Sequence, residues 1–396
     1  MQKSLLILGA GPLYVKAIED IKKIGFKVIV VDRNSDSPGF KYADCFSVID
    51  IVDREAVLKY AIEMKIDGIM PTNDFGVRTA CYVSHKLDLV GNSLATGICS
   101  NDKGMMRDLW ANENLSQPHY IIVNTDIVKL MHIEERIIYP LVVKPTDCGG
   151  AGRGISIANN DQELVEALDY AKPFVKNNRI IIEEYIEGME LTIDALSYKG
   201  NIQILSISDK EKPIQKYRVA TSLNFPAKIS ENQRIKVEEL VKNAITSVGI
   251  ANGASHTEVI INTEGDPFLV EIGARGGGGH LFSTIVCENT GVNYPQEFAK
   301  ILCREKPDLR IKKNSGVVYR FFNPPVGKIK GIRVSDKINY LPNLLTYSIT
   351  AKEGDIFNGL KDSMHRVGFL VTKGYTREEA IKSANEAESL VEFVVE

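Results

Sequence analysis

Short apolar runs at residues 5–8, 28–31 and 68–70 alternate with stretches of helical periodicity such as Arg54–Met64. Apolar strands separated by helical segments predict an open parallel sheet over roughly the first hundred residues. Asp102 is placed to cap a helix through Met105, Met106 and Leu109, with Lys103 in its first turn. From about Pro118 the texture changes to short strands and hairpins, then a helix over 162–172 and a strand over 179–183. Strands over 191–196 and 202–206, the helix Glu231–Val248 and a hairpin of 256–261 with 268–273 follow, the hairpin turning at Gly265-Asp266-Pro267. Near the end, Thr376 and Glu379 form a capping-box pattern before an amphipathic helix carrying Ala380, Ile381, Ala384 and Ala387. No internal repeat or low-complexity tract interrupts this α/β and α+β chain, which divides into lobes at 1–103, 104–186, 187–305 and 306–396.

The first lobe is Rossmann-like in topology, and its opening turn Gly9-Ala10-Gly11-Pro12-Leu13-Tyr14 bears on the ligand. Two glycines of a dinucleotide fingerprint are present, but Tyr14 replaces the glycine that lets helix and strand approach, which disfavours NAD and an oxidoreductase. Asp32, at the end of the second strand, reads as a polar strand end without a site role.

Composition narrows the class further. The 396 residues, 25% charged and 44% hydrophobic, suit a soluble globular protein with a sizeable core. A net charge of −3 without a basic, aromatic-rich run argues against a nucleic-acid partner. Six cysteines at 45, 81, 99, 148, 287 and 303 have no Cys-x-x-Cys spacing, so reduced thiols and a cytoplasmic setting are expected. The apolar stretch at residues 5–8 is too short for a signal core, and no segment reaches membrane-spanning length.

Two segments carry the chemistry. Between strands at 141–143 and 155–157, Gly149, Gly150, Gly152 and Gly154 make a flexible loop, preceded by Lys144 and containing Arg153. Without side chains to block approach, consecutive amides of such a loop can wrap polyphosphate. A strand rather than a helix follows and no Gly-Lys-Ser/Thr ends it, so this is no Walker loop but a lid on a hairpin, and ATP is the expected ligand. In the second segment, a turn centred between Glu264 and Gly265 sets Glu258 opposite Glu271, with Cβ atoms about 5 Å apart. Opposed carboxylates repel, and a divalent cation between them, or protonation of one, relieves the conflict. With no His/Cys cluster to favour zinc, Mg²⁺ is expected, Mn²⁺ being the alternative. Strand alternation places Gly273 and Arg275 on the face of Glu271, so Arg275 is the candidate for stabilising a developing oxyanion.

Lys103, Lys144, the glycine lid, the Glu183-Glu184-Tyr185-Ile186-Glu187-Gly188-Met189-Glu190 segment, Glu258 and the 271–275 segment occur in an order that resembles the ATP-grasp superfamily over essentially the whole chain. The resemblance implies a Rossmann-like leading domain, a two-lobed ATP-grasp fold and a small α+β tail lobe. It further implies that Lys103 and Lys144 contact ATP phosphates under the lid. Glu183, the Glu184 carbonyl and the Ile186 amide would read adenine, and Glu190 the ribose hydroxyls. Gly273 departs from relatives that carry an asparagine completing the metal shell. The implied reaction joins a small-molecule carboxylate to an amine through an acyl phosphate, most similar to L-amino-acid ligases. A phosphoribosylglycinamide synthetase-like or carboxyphosphate-forming enzyme is the alternative, and a non-catalytic nucleotide-binding module a different class. A homodimer is common among such relatives. Thr72-Asn73-Asp74, residues 210–218 and residues 276–280, ending in His280, are the candidate acceptor segments.

Overall fold

The computed structural model describes residues 2–125, 137–150, 152–213, 217 and 219–396. Four parallel strands open the chain, in the order Cys45–Val48, Lys27–Asp32, Ser4–Leu8, Gly68–Pro71. Their unbroken apolar runs follow from burial on both faces. Leu5, Ile7, Val28 and Val30 enter one core with Phe282, Tyr294 and Phe298, while Leu6, Leu8, Ile29 and Val31 enter another with Val57 and Ala61. Asp32 accepts the Ala10 and Asn34 amides (2.8 and 2.9 Å), a strand-end cap as the sequence suggested.

The helix Lys103–Asn112 starts where expected, because Asp102 accepts the Met105 amide at 3.0 Å. The other Asp102 oxygen takes Asn177 and Arg179, fastening this helix to the next lobe. That lobe is an antiparallel sheet ordered Tyr120–Asn124, Arg179–Glu184, Leu141–Pro145, Ser156–Ala158, backed by the helix Asp161–Ala171. The glycine-rich loop joins its last two strands in this order, so the lid does sit on a hairpin.

An eight-stranded antiparallel sheet forms the large lobe: Pro267–Gly273, Gly253–Asn262, Gly188–Tyr198, Asn201–Glu211, Ser222–Phe225, Gly316–Phe321, Gly368–Gly374, Leu344–Ile349. The last three come from the tail region, so the sheet runs on across residue 305. A three-stranded sheet of Ile356–Phe357, Gly327–Val334 and Val391–Val395 completes the tail with the helix Arg377–Ser389. Among the described residues no helix is long and apolar enough to cross a membrane.

Register in the 253–273 hairpin is set in two steps. His256–Gly273, Thr257–Ile272 and Glu258–Glu271 pair as the sequence predicts, whereas Val259–Leu269 through Ile261–Pro267 are one residue tighter. The turn therefore centres on Glu264, and a bulge at Val270 restores the register before the two glutamates.

Candidate active site

Period-two alternation builds the site. In the three strands beside one another, Leu191, Ile193, Val259, Ile261, Leu269 and Ile272 face the helix Glu231–Val248 and its Val237, Val241 and Ile245. The alternating positions are polar or small: Glu190 and Thr192, Lys210 and Lys212, His256 and Glu258, Glu271, Gly273 and Arg275. All of these line one cavity of about 830 Å³ between the lobes. One sheet thus presents a dry face to a helix and a charged face to the cavity.

Each glutamate of the opposed pair has its own lysine. Lys103 reaches Glu271 at 3.1 Å, and Lys210 bridges Glu258 (2.6 Å) and Glu190 (2.7 Å), with Lys212 also on Glu190. The repulsion between Glu258 and Glu271 is thus met in part by two ammonium groups, partners that the sequence reading did not include. Burial alone would raise the Glu258 carboxyl, but Lys210 and Lys212 hold it far below the ordinary range. Burial likewise opposes the Lys103 and Lys210 ammoniums, which the carboxylates nonetheless hold above theirs. Lys212, the more weakly partnered, is pulled down by burial.

Two further carboxylates are engaged by cations. Both Glu183 oxygens are taken, by Lys144 at 2.6 Å and by Arg107 at 2.9 Å, in a fully buried triad. Glu183 therefore orients Lys144, and it lines the cavity with the second lone pair of each oxygen uncommitted. The carboxylate of Glu190 meets Lys210 and Lys212 at the cavity wall. Glu184, Tyr185 and Ile186 do line the cavity, and no acceptor among the described residues takes the Ile186 amide.

Arg275 stands at the cavity wall as alternation requires, but it is engaged: its Nε and Nη2 donate to the two oxygens of Asp74, each at 3.0 Å. Behind it, Asp194 accepts from the Gly277 amide (3.0 Å) and pairs with His256 Nδ1 (3.2 Å), tying the start of the 276–279 glycine run to the sheet. Arg107, Asp194 and His256 were missed in the sequence. The signal for the last two was the alternation itself, polar at 190, 192, 194 and at 256, 258.

The lid folds against the first domain. Arg78 pairs with Asp147 at 2.9 Å, and the Phe75 ring lies beneath Gly149, with Arg153 and Lys176 over it at 6.0 and 5.1 Å. Arg153 turns back onto its own loop, donating to the Cys148 carbonyl. Gly149, Gly150, Gly152 and Gly154 all have positive φ, near +70° to +80°, which explains the residue type at each. Gly150 and Gly152 line the cavity with Lys144 and Lys103. Of the acceptor segments, Asp74, Lys210, Lys212 and residues 278–279 line it too. Residues 214–216 and 218 of the second segment, and Ala151 of the lid, lie outside the described residues.

The carboxylate pair fits a hard divalent cation: two opposed, cavity-facing oxygen donors, with space beside them for phosphate and water. Among the described residues no group of three His, Cys, Asp or Glu side chains forms a closed metal cage.

These are the fold and charged cleft of an ATP-grasp protein. Residues 137–284 match the ATP-grasp domain and residues 320–396 match the L-amino acid ligase C-terminal domain 2, so the chain carries an ATP-grasp domain followed by an L-amino acid ligase C-terminal domain. It is 23% identical over 379 residues to an L-arginine-specific L-amino acid ligase of Bacillus subtilis, covering 92% of this chain and 90% of that protein. It is 27% identical over 253 residues to a formate-dependent phosphoribosylglycinamide formyltransferase of Prochlorococcus marinus (strain NATL2A), covering 62% of this chain and only 64% of that protein. In fold it is similar to an L-amino acid ligase from Bacillus licheniformis, with a TM-score of 0.84 at 22% identity over 100% of this chain and 99% of that one.

Proposed function

We propose that the protein is an ATP-dependent carboxylate–amine ligase that forms an amide through an acyl phosphate, releasing ADP and phosphate. The observation that carries this reading is the convergence of Lys103, Lys144, Lys210, Glu258, Glu271 and Arg275 on one cavity. That cavity, of about 830 Å³, is lined from the Ile186 segment to Gly278 and Gly279.

In this reading Lys144, held in line by Glu183, and Lys103 meet the phosphates as point charges, and the amides of Gly150 and Gly152 close over them. Adenine lies against the Glu184–Ile186 segment, whose free Ile186 amide is a donor for a ring nitrogen. Glu258 and Glu271 would hold Mg²⁺, which supplies charge neutralisation between phosphate oxygens when bound. The carboxylate substrate attacks the γ-phosphorus and ADP leaves; the amine then attacks the acyl carbon, and phosphate leaves with the electron pair of the C–O bond. Arg275, once turned from Asp74, faces the oxyanion of both steps. The sealed lid keeps water from the acyl phosphate.

An amino acid is the favoured carboxylate, given the tail match to L-amino acid ligases and the 90% coverage of the arginine-specific one. The formyltransferase match favours a second reading, in which a one-carbon acid such as formate is activated. The test is release of ADP and phosphate from Mg-ATP over a matrix of amino acids, formate, bicarbonate and amines, with products weighed by mass spectrometry. Release that needs both a carboxylate and an amine, and is lost in Glu271→Gln, supports the ligase. Release with formate or bicarbonate alone favours the second reading, and silence throughout favours a non-catalytic nucleotide-binding module.

A further inference from the structure

The far end of the cavity is walled differently from the phosphate end. Leu223, Leu281, Tyr319, Phe321 and Phe369 line it, and all but Phe369 are nearly completely buried. The rings form a packed set, Tyr319 lying 4.4 Å from Phe321 and 5.6 Å from Phe369, with His280 edge-on at 5.9 Å from Tyr319. Burial holds the His280 imidazole below its ordinary pKa, so behind the wall it backs Tyr319 and Phe369 as a ring rather than as a cation.

Set in that wall is one guanidinium without an anion. Arg366 lies 3.4 Å from the centre of the Phe321 ring and donates one hydrogen bond, from Nη2 to the Ala220 carbonyl at 3.0 Å. Its Nε is buried and has no acceptor among the described residues. The nearest acid in sequence, Asp362, is committed to the Met364 amide (2.8 Å) and to His365 Nδ1 (2.9 Å). Burial drags the Arg366 guanidinium down to about 10, still cationic at neutral pH, which measures how poorly the protein itself compensates it. A buried cation with an unused donor is costly unless something else pairs with it. Asp362 supports Arg366 only through its charge, and no Asp or Glu among the described residues after Glu271 lines the cavity, so an anion entering it finds Arg366 without a paired carboxylate.

We propose that this end of the cavity is the acceptor pocket, and that Arg366 binds the carboxylate of an amino acid whose amine is the nucleophile and whose apolar side chain packs on Leu223, Leu281, Tyr319 and Phe369. The assignment rests on the ligase reading above. In that reaction the donor's carboxylate is consumed at Arg275, so the carboxylate left for Arg366 is the acceptor's, which survives as the free acid of the product. A planar guanidinium matches a carboxylate with two parallel hydrogen bonds. Cationic side chains are disfavoured, since Arg366 and Lys361 are the charged groups that line this end among the described residues.

The test is calorimetric binding, in the presence of Mg-ADP, of L-leucine and L-phenylalanine against their carboxamides. The wild type should bind the acids at least about tenfold more tightly than the amides, the strength of one charged hydrogen-bonding contact. Arg366→Met should bind acid and amide alike, and Arg366→Lys should recover part of the preference. Equal binding of acid and amide by the wild type, binding of neither probe, or a preference that survives Arg366→Met overturns the assignment. Should Arg366→Met fail to fold, the wild-type comparison and Arg366→Lys decide. Binding with the expected preference but no turnover leaves the pocket standing and removes the ligase. Turnover with a preference indifferent to Arg366 does the reverse.

Discussion

Asp74 and Arg275, 201 residues apart in the chain, meet in a two-pronged ion pair with both contacts at 3.0 Å. Asp74 opens the helix Asp74–Lys86 of the first domain, and Arg275 follows the strand Pro267–Gly273, so the pair couples the leading domain to the sheet that lines the cavity. Burial alone would raise the Asp74 carboxyl, yet Arg275 holds it below its ordinary range. The carboxylate thus occupies the guanidinium that, in the proposed reaction, a reacting carboxylate or oxyanion would need.

Asp74→Asn separates occupancy from support. Removing one partner of a buried pair leaves the other uncompensated, and a loss of up to about 3 kcal/mol is expected, read as a lower thermal midpoint. The KM of the carboxylate substrate should fall or hold, because a competitor has gone. A rise of about tenfold or more instead would mean that Asp74 itself binds the substrate, through its ammonium group.

Lys210→Met tests the metal site without touching the carboxylates. Glu190 and Glu258 both lean on Lys210, and without it they are left to Lys212, which burial has already weakened. The variant should melt earlier than wild type in EDTA, by about 3 kcal/mol. Added Mg²⁺ should raise its midpoint more than that of the wild type, since a cation at Glu258 relieves more repulsion. Equal Mg²⁺ shifts in the two proteins would place the ion elsewhere.

What the sequence revealed was what short-range periodicity controls. Runs such as 5–8 and 28–31 fit strands buried on both sides, Asp102 and Thr376 mark helix starts through their own side chains, and Glu258 falls opposite Glu271 because both flank one tight turn. The half-residue error in that turn was hidden, since the bulge at Val270 depends on contacts across the lobe: Arg107 donates to the Val270 carbonyl at 3.0 Å. The partners of the charges were not legible for the same reason. Arg107 to Glu183, Lys103 to Glu271 and Asp74 to Arg275 are joined only by the way the lobes close, and no local spacing encodes them.

The lid glycines differ in a way that substitution exposes. Gly149 and Gly152 share a φ near +72°, so alanine costs each about 1 kcal/mol or more of left-handed strain. At Gly149 the added Cβ would also stand 2.6 Å from the Phe75 ring, whereas at Gly152 nothing lies within 4 Å. Gly149→Ala should therefore lower kcat/KM for ATP by about tenfold more than Gly152→Ala does. Trimming the ring in Gly149→Ala/Phe75→Ala should return much of the difference. Equal effects at the two glycines would show that the lid does not work against Phe75.

Acid should undo the Glu183 triad in a defined window. Burial alone would raise this carboxyl, but Arg107 and Lys144 bring it down to about 2 from an ordinary 4.5. A depressed carboxyl stabilises the fold above the unfolded value, and that contribution drains away as pH falls from about 4.5 toward 2. Its size is on the order of 3 kcal/mol. Glu183→Gln lacks the charge and leaves two buried cations without it, so it should be the less stable protein at pH 7 in urea titrations. The gap from wild type should shrink steadily below about pH 4.5, since protonation makes the wild-type group neutral as well. A gap at pH 3 as wide as that at pH 7 would show that the triad does not hold Glu183 ionised, and Lys144 would then need another group to aim it at phosphate.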